Sequence, residues 1–343
     1  MLSVENEDFE RILRDYGIAA KIQSVLELQR YNYERNGPDT KEVRLIVRAD
    51  LEDGTSLVIR FKNEQDVTVA LIESQCAFAE RLRQNGISTP LQYRSEGCFA
   101  RQYAIGGYDV IVTVEQFAEN EIKLVDASIA QKTGELLAKT HSIAEKENLL
   151  VPNGVLFNPF TDNDLFDFEA FLTIGPGLER ENKVLFAQIA DKYHAYMDIL
   201  APLKERPAYA VQGDISDCNL YLTHSGEIGL FDYNRSGNNI LFCDAVMQAV
   251  FEARLMDYPE NCGADNERVI LQAFLEGYTS VRPFSEQEME WFPYLHAIID
   301  AFWSSDIRWD DHSLLHMQEA GDRQGVSRRL KTIWDRLCHV KSK

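Results

Sequence analysis

Hydrophobic and polar positions follow two different periods along this chain of 343 residues, and the change falls near Phe117-Ala118-Glu119. Before that point short runs dominate. An amphipathic opening helix is predicted to end near Tyr16-Gly17. Two strand-like runs follow, Ile22 to Tyr33 and Val43 to Asp50, separated by the turn-forming Asn36-Gly37-Pro38. Asp53-Gly54 then turns the chain into Ser56 to Phe61, where alternation places Leu57, Ile59 and Phe61 on one face and Val58 and Arg60 on the other. Val67 to Asn85 carries near-helical spacing closed by Gly86, and further strands are expected at Phe99 to Tyr103 and Val110 to Phe117.

After the change the pattern is mainly helical, with predicted helices at Ala127 to His141, Asp164 to Leu172, Glu179 to Leu200, Asp244 to Tyr258, Asn266 to Tyr278 and Glu286 to Trp303. One β-rich island, Tyr209 to Tyr233, interrupts them. The expected fold class is therefore α+β, with a small β-rich lobe over residues 1–117 and a mainly helical lobe over 118–343. Two lobes of this kind commonly hold a ligand between them.

Composition narrows the function classes. The 35 basic and 55 acidic side chains leave a formal charge of −20, which argues against general nucleic-acid binding, since phosphate contacts need clustered Lys and Arg. The same charge fits a cationic small molecule, though a soluble surface alone would also produce it. No apolar run approaches the ~20 residues that span a bilayer. The acidic first residues lack the basic start and apolar run of a signal peptide. The six cysteines are scattered without a CxxC pair, which suggests neither a zinc site nor a disulfide framework and makes the cytoplasm the expected location.

The chemistry-bearing segment is Gln212-Gly213-Asp214-Ile215-Ser216-Asp217-Cys218-Asn219-Leu220-Tyr221-Leu222, then Gly226, then Leu230-Phe231-Asp232. It is read as a polar loop, a strand, a turn at Ser225-Gly226 and a second strand. A hairpin this short holds its ends together, so Asn219 and Asp232 are expected to emerge near each other, with Asp214 at the start of the loop. Two carboxylates and a carboxamide are oxygen donors suited to Mg²⁺, which keeps much of its water shell. Asp, four residues, Asn, and a later Asp is also the order of catalytic and metal-binding residues in phosphoryl transfer. Taken alone, Asp214 and Asn219 would be ordinary turn residues; the hairpin, the later Asp232 and a suitable upstream lobe tilt the balance toward catalysis.

These residues resemble the aminoglycoside phosphotransferase/choline kinase family, relatives of the protein kinases whose motif runs H-G-D-x-x-x-x-N and then I-D. Two more segments are similar to that family: Gly134-Glu135-Leu136-Leu137-Ala138-Lys139-Thr140-His141, like G-x-x-L-A-x-x-H, and Phe274-Leu275-Glu276-Gly277-Tyr278, like F-x-x-G-Y. The resemblance spans roughly residues 20 to 305. It implies a protein-kinase-like two-lobed fold, ATP and Mg²⁺ as cofactors, Asp214 as catalytic base, and Asn219 and Asp232 as metal ligands. Gln212 stands where the family has His, Phe231 where it often has Ile, and no G-x-G-x-x-G is present.

The resemblance further implies a phosphate-binding cation on the third strand, where Arg60 stands with Lys62 two residues on, and an acid on the following helix to hold it. Gln75 aligns with that acid and Glu73 is the nearest carboxylate. Glu115-Gln116-Phe117 resembles the hinge whose backbone would meet adenine, with Phe117 equally suited to the core. Helix-end His141 reads as a packing residue and Asp244 as an N-cap or loop anchor. The cluster Trp303, Asp306, Arg308, Trp309, Asp310, Asp311 and His312 has the makings of an amine-binding cage, as does Glu252, although packed tryptophans beside a solvated loop explain it as well. His312 and His316, four apart, lack further ligands for a metal. The implied activity is transfer of a nucleotide phosphoryl group to a small hydroxyl acceptor: an aminoglycoside, a choline-like alcohol or another amino alcohol. A protein kinase or a non-catalytic nucleotide-binding protein are the alternatives. Only about a dozen residues separate Asp232 from the predicted helix at Asp244, too few for a polypeptide-binding segment.

Overall fold

The computed structural model describes residues 1–32, 42–155, 158–161, 165–215, 219–254 and 264–339. In chain order the elements are α1 (Asn6–Asp15), β1 (Ile22–Asn32), β2 (Val43–Leu51), β3 (Ser56–Asn63), α2 (Val69–Gln84), β4 (Ala100–Ile105), β5 (Tyr108–Gln116), α3 (Ala127–Lys146), α4 (Phe168–Thr173), α5 (Arg180–Leu200), β6 (Tyr209–Val211), β7 (Leu220–Leu222), β8 (Ile228–Leu230), β9 (Gly237–Asn239), α6 (Leu241–Arg254), α7 (Ala264–Val281), α8 (Glu286–Ala301), α9 (Leu314–Glu319) and α10 (Arg323–Cys338). Contacts divide them into two compact units. The first comprises Met1–Lys123, Lys146–Asn153 and Asp217–Gly237, and the second Leu124–Glu145, Gly154–Ser216 and Asn238–Lys343. The turn expected at Asn36-Gly37-Pro38 lies outside the described residues. No described helix is long and apolar enough to cross a membrane.

The first unit is built on an antiparallel sheet in the order β1-β2-β3-β5-β4. Alternation on β3 works as the sequence predicts: Leu57, Ile59 and Phe61 are fully buried under α1, packing with Phe9, Ile12 and Leu13. The opposite face packs Ile111 against Ile72 and Cys76 of α2. Helix α2 starts at Val69 because the Thr68 hydroxyl caps it, accepting from the Leu71 N–H at 3.1 Å. The β7–β8 hairpin belongs to this unit. It docks through the Ile122 N–H on the Leu220 carbonyl and the Leu230 N–H on the Ser88 carbonyl, each at 2.9 Å.

In the second unit α6 is buried from Leu241 to Ala253, which only a helix at the centre of a bundle can be. The two motifs that marked this region in the sequence prove to be one packing device. A Cβ on Gly134 of α3 would lie 2.0 Å from the Phe274 carbonyl oxygen of α7, and a Cβ on Gly277 of α7 would lie 1.9 Å from the Gln131 carbonyl oxygen of α3. Each helix carries glycine where the other's backbone crosses. The signature histidine completes the junction: the His141 ring meets the Tyr278 hydroxyl at 2.9 Å through Nδ1 and the Asp244 carboxylate at 3.0 Å through Nε2, all three fully or almost fully buried. Asp244 is thus a buried tie between α6 and α3 rather than an N-cap, because α6 opens three residues earlier than the sequence suggests. Gly277→Ala should destabilise the protein by about 3 kcal/mol or more, since backbone rather than a flexible side chain must give way. A urea transition with lowered midpoint and unchanged slope would report it; a midpoint equal to wild type would refute the crossing.

Beyond Trp303 the sequence reading marked no helices, yet α9 and α10 are present. Helix α10 contributes two arginines to an ion network. Asp306 accepts from Arg329 and Arg336, each at 2.5 Å, and from Arg254 at 3.4 Å. The Arg254 guanidinium also lies 5.2 Å from the Trp303 ring centre, and that of Arg308 lies 4.4 Å from Trp309. The chain's own arginines thus sit against both rings of the suggested amine cage; of the two tryptophans the alternative expected to be packed, Trp303 is buried but Trp309 is 60% exposed. His316 is likewise engaged, with Nδ1 at 2.7 Å from the Asp310 carbonyl.

Candidate active site

The hairpin brings two of the three singled-out residues together. Leu220 pairs with Leu230, and the Phe231 N–H donates to the Asn219 carbonyl at 3.0 Å, so Asn219 and the residue before Asp232 occupy facing positions. Asp232 then adopts φ +55°, in the left-handed region where Asp and Asn are the side-chain-bearing residues most readily accommodated. Its Oδ1 accepts from the Asn234 N–H at 3.1 Å, an Asx turn that accounts locally for the conformation.

Strand β3 presents two cations to this turn. Arg60 and Lys62 lie two residues apart on one face and are 8% and 5% exposed. The Arg60 Nη1 donates to Asp232 Oδ2 at 3.3 Å, and the Lys62 ammonium donates to the Asn234 side-chain carbonyl. Burial opposes the negative charge of Asp232, but Arg60 and Lys62 together outweigh it and hold the carboxyl below its usual range. Burial, reinforced by the charge of Arg60, pulls the Lys62 ammonium down to about 8.

The partner of Arg60 is not on the helix. Glu73 of α2 is spent on the Ala100 N–H at 2.6 Å, and the Gln75 amide donates to the carbonyls of Asn234 and Ser236 at 2.9 and 3.3 Å. Arg60 instead donates to Glu115 Oε1 from Nη2 at 2.6 Å and from Nε at 3.1 Å. Register explains the pair: Val58 faces Glu115 across β3 and β5, which puts Arg60 on the diagonal and on the same face. Side-chain periodicity gives the face but not this register, so the sequence suggested only a backbone role for Glu115.

Ile46, Val58 and Phe231 are among the apolar residues lining a cleft of about 630 Å³, and Arg60, Glu115 and Asp232 among its polar ones. Phe117 also lines it, with the Arg48 guanidinium 4.4 Å from its ring centre. The N–H groups of Gln116 and Phe117 donate to the carbonyls of Leu91 and Ser56, each at 2.9 Å, so these two amides of the suggested hinge are engaged within the protein.

Asp214 lies in the second unit, partly exposed. Its N–H donates to Gln212 Oε1 at 2.7 Å, and the next N–H, that of Ile215, donates to Gln248 Oε1 at 3.0 Å. Gln212 thus supplies the hydrogen bonding within the loop where the resembled family has histidine. Gln248, fully buried on α6 one turn after Asp244, carries no motif that would have revealed it. Among the described residues no three His, Cys, Asp or Glu side chains converge as a metal cage. The donor set offered by the hairpin is one carboxylate and one carboxamide, hard oxygen ligands of the number Mg²⁺ takes from protein when phosphate and water supply the rest.

The architecture is the protein-kinase-like two-lobed α+β fold found in small-molecule kinases. It is similar in structure to a microcompartment-associated aminopropanol kinase (15% identity, 98% of this chain and 96% of that one, TM-score 0.57) and to amicoumacin kinase hAmiN (15% identity, 96% and 94%, TM-score 0.54). A third similar structure is an aminoglycoside phosphotransferase from Alicyclobacillus acidocaldarius (12% identity, 91% and 93%, TM-score 0.51). At these identities the likeness is one of fold. No family model and no curated protein matches the sequence.

Proposed function

We propose that this chain is an ATP- and Mg²⁺-dependent kinase that transfers the γ-phosphoryl group to a hydroxyl of a small molecule. The observation that carries the reading is the cluster Arg60–Asp232 beside Asn219, with Arg60 and Asp232 lining a cleft whose apolar walls are formed by Leu28, Ile46, Val58 and Phe231. Apolar walls suit a nucleobase, and a cation next to oxygen donors suits phosphates with their metal. That hAmiN was crystallised with AMP-PNP and Ca²⁺ supports a nucleotide and a divalent ion in the same fold.

In this reading residues 1–117 form the nucleotide lobe and 118–343 the catalytic and acceptor lobe. Arg60 binds phosphate oxygens, which its planar fork can grip in pairs. Lys62 keeps Asn234 and the turn of Asp232 in place. Asn219 and Asp232 hold Mg²⁺, which when bound neutralises phosphate charge. Asp214 accepts the proton of the attacking hydroxyl, its backbone held by Gln212. Helix α6 opens at Leu241, nine positions after Asp232, which leaves little chain for docking a polypeptide and favours a small acceptor. Amino alcohols, choline-like alcohols and aminoglycosides are the acceptor classes, and the acidic surface favours cationic ones.

The test is ADP release from Mg-ATP by the purified protein against a panel of these alcohols. Release that depends on one class of acceptor and disappears in Asp214→Ala is the expected result. Equal release by the wild type and that variant would remove Asp214 from its role. Absence of nucleotide binding would remove the whole reading.

A further inference from the structure

The charges Glu115, Arg60 and Asp232 form a chain with unequal links. Arg60 gives Glu115 Oε1 two hydrogen bonds, at 2.6 and 3.1 Å, and reaches Asp232 Oδ2 with one, at 3.3 Å. Glu115 is itself fixed, because the Gln92 side-chain amide donates to its Oε2 at 2.5 Å. Glu115 and Gln92 are each 7% exposed, whereas the Asp232 side chain is 27% exposed. A guanidinium shared between two carboxylates binds harder to the drier and better-aligned one, since charge-assisted hydrogen bonds strengthen as they shorten and lose competing water. Helix α2 offers no rival, because Glu73 and Gln75 are spent on backbone groups.

We infer that Glu115 is a positioning residue that holds Arg60 back from full ion-pair contact with Asp232, so that the guanidinium competes less with a divalent cation for the Asp232 carboxylate. The inference rests on the reading of Asp232 as a metal ligand. Without the charge of Glu115, the strongest acceptor left for Arg60 is Asp232. A guanidinium closing from 3.3 Å to full ion-pair contact would compete with the cation for the same oxygens. The strand acid thereby does from β5 what the sequence led one to seek on α2. Fixed by two strands of one sheet and by Gln92, it makes the placement of Arg60 independent of any movement of that helix.

The test is calorimetric ATP binding by the full chain, in Mg²⁺ and again in EDTA, for wild type, Glu115→Gln and Gln92→Met. In Glu115→Gln the tightening of ATP binding by Mg²⁺ should fall about fivefold or more, while affinity in EDTA changes less than about twofold. Gln92→Met, which frees Glu115 without removing its charge, should show the same loss in smaller measure, and it decides the matter if Glu115→Gln does not fold. Mg²⁺ enhancement equal to wild type overturns the inference. So does an equal loss of affinity in both buffers, which is what a merely structural role would give. A wild type that binds ATP in neither buffer overturns the proposed function and this inference together, whereas normal Mg²⁺-dependent binding by wild type and variants alike overturns this one alone.

Discussion

Asp214→Asn should lower acceptor-dependent turnover by about 10³-fold, within the range lost when a positioned general base is removed, while leaving the KM for ATP within about threefold. The two effects part because different groups produce them. Asp214 is not among the residues lining the cleft, which come from β1, β2, β3, β5 and the segment after it, Pro90, and Phe231 with Asp232. Its backbone N–H is held within the loop by Gln212, and an Asn at 214 keeps that N–H. The substitution is isosteric at a partly exposed side chain, so stability should change by no more than about 0.5 kcal/mol. What Asn lacks is a basic oxygen for the hydroxyl proton. A 10³-fold loss corresponds to about 4 kcal/mol of transition-state stabilisation, several times what a lost neutral hydrogen bond would cost. Steady-state ADP release at saturating acceptor, with ATP varied, separates the terms. Turnover within tenfold of wild type would show that Asp214 is a loop residue and nothing more.

How much of this was readable beforehand depended on the range of the contact concerned. The alternation Leu57, Ile59, Phe61 against Val58 and Arg60 is a local property of one strand, and it gave the faces of β3 correctly. The turn at Ser225-Gly226 is equally local, and it gave the adjacency of Asn219 to the chain entering Asp232. Gly134 and Gly277 stood out as parts of motifs, but that each exists for the other's helix depends on a crossing between segments more than a hundred residues apart. The role of Glu115 depends on the register between β3 and β5, which no periodicity encodes. The same holds for Asp306. In the sequence it is an acid near two tryptophans, and only the packing of α10 brings Arg329 and Arg336 to it. Gln248 is the extreme case, an amide within a buried apolar helix whose acceptor oxygen happens to meet the loop beside Asp214.

Asp232→Asn should abolish turnover by about 10³-fold or more as well, but with a different signature: the loss grows as Mg²⁺ falls, and the fold is retained. The backbone at 232 has φ +55°, which Asn tolerates almost as well as Asp. The carboxamide oxygen can still accept from the Asn234 N–H and preserve the Asx turn. Arg60 is not stranded, because its two shorter hydrogen bonds go to Glu115. The steep penalty for leaving one member of a buried ion pair uncompensated is therefore largely avoided. What disappears is the negative charge that the cations Arg60 and Lys62 stabilise and that a divalent ion requires. Asp232→Ala makes the contrast that isolates this charge. It should be equally inactive yet less stable by a further ~1–2 kcal/mol, since Ala loses the Asx turn and is strained at positive φ. Two variants alike in activity but apart in thermal midpoint would assign turnover to the carboxylate and stability to the turn. An Asn variant that turns over normally at ordinary Mg²⁺ would detach Asp232 from the metal, and with it the placement of the phosphates beside Arg60.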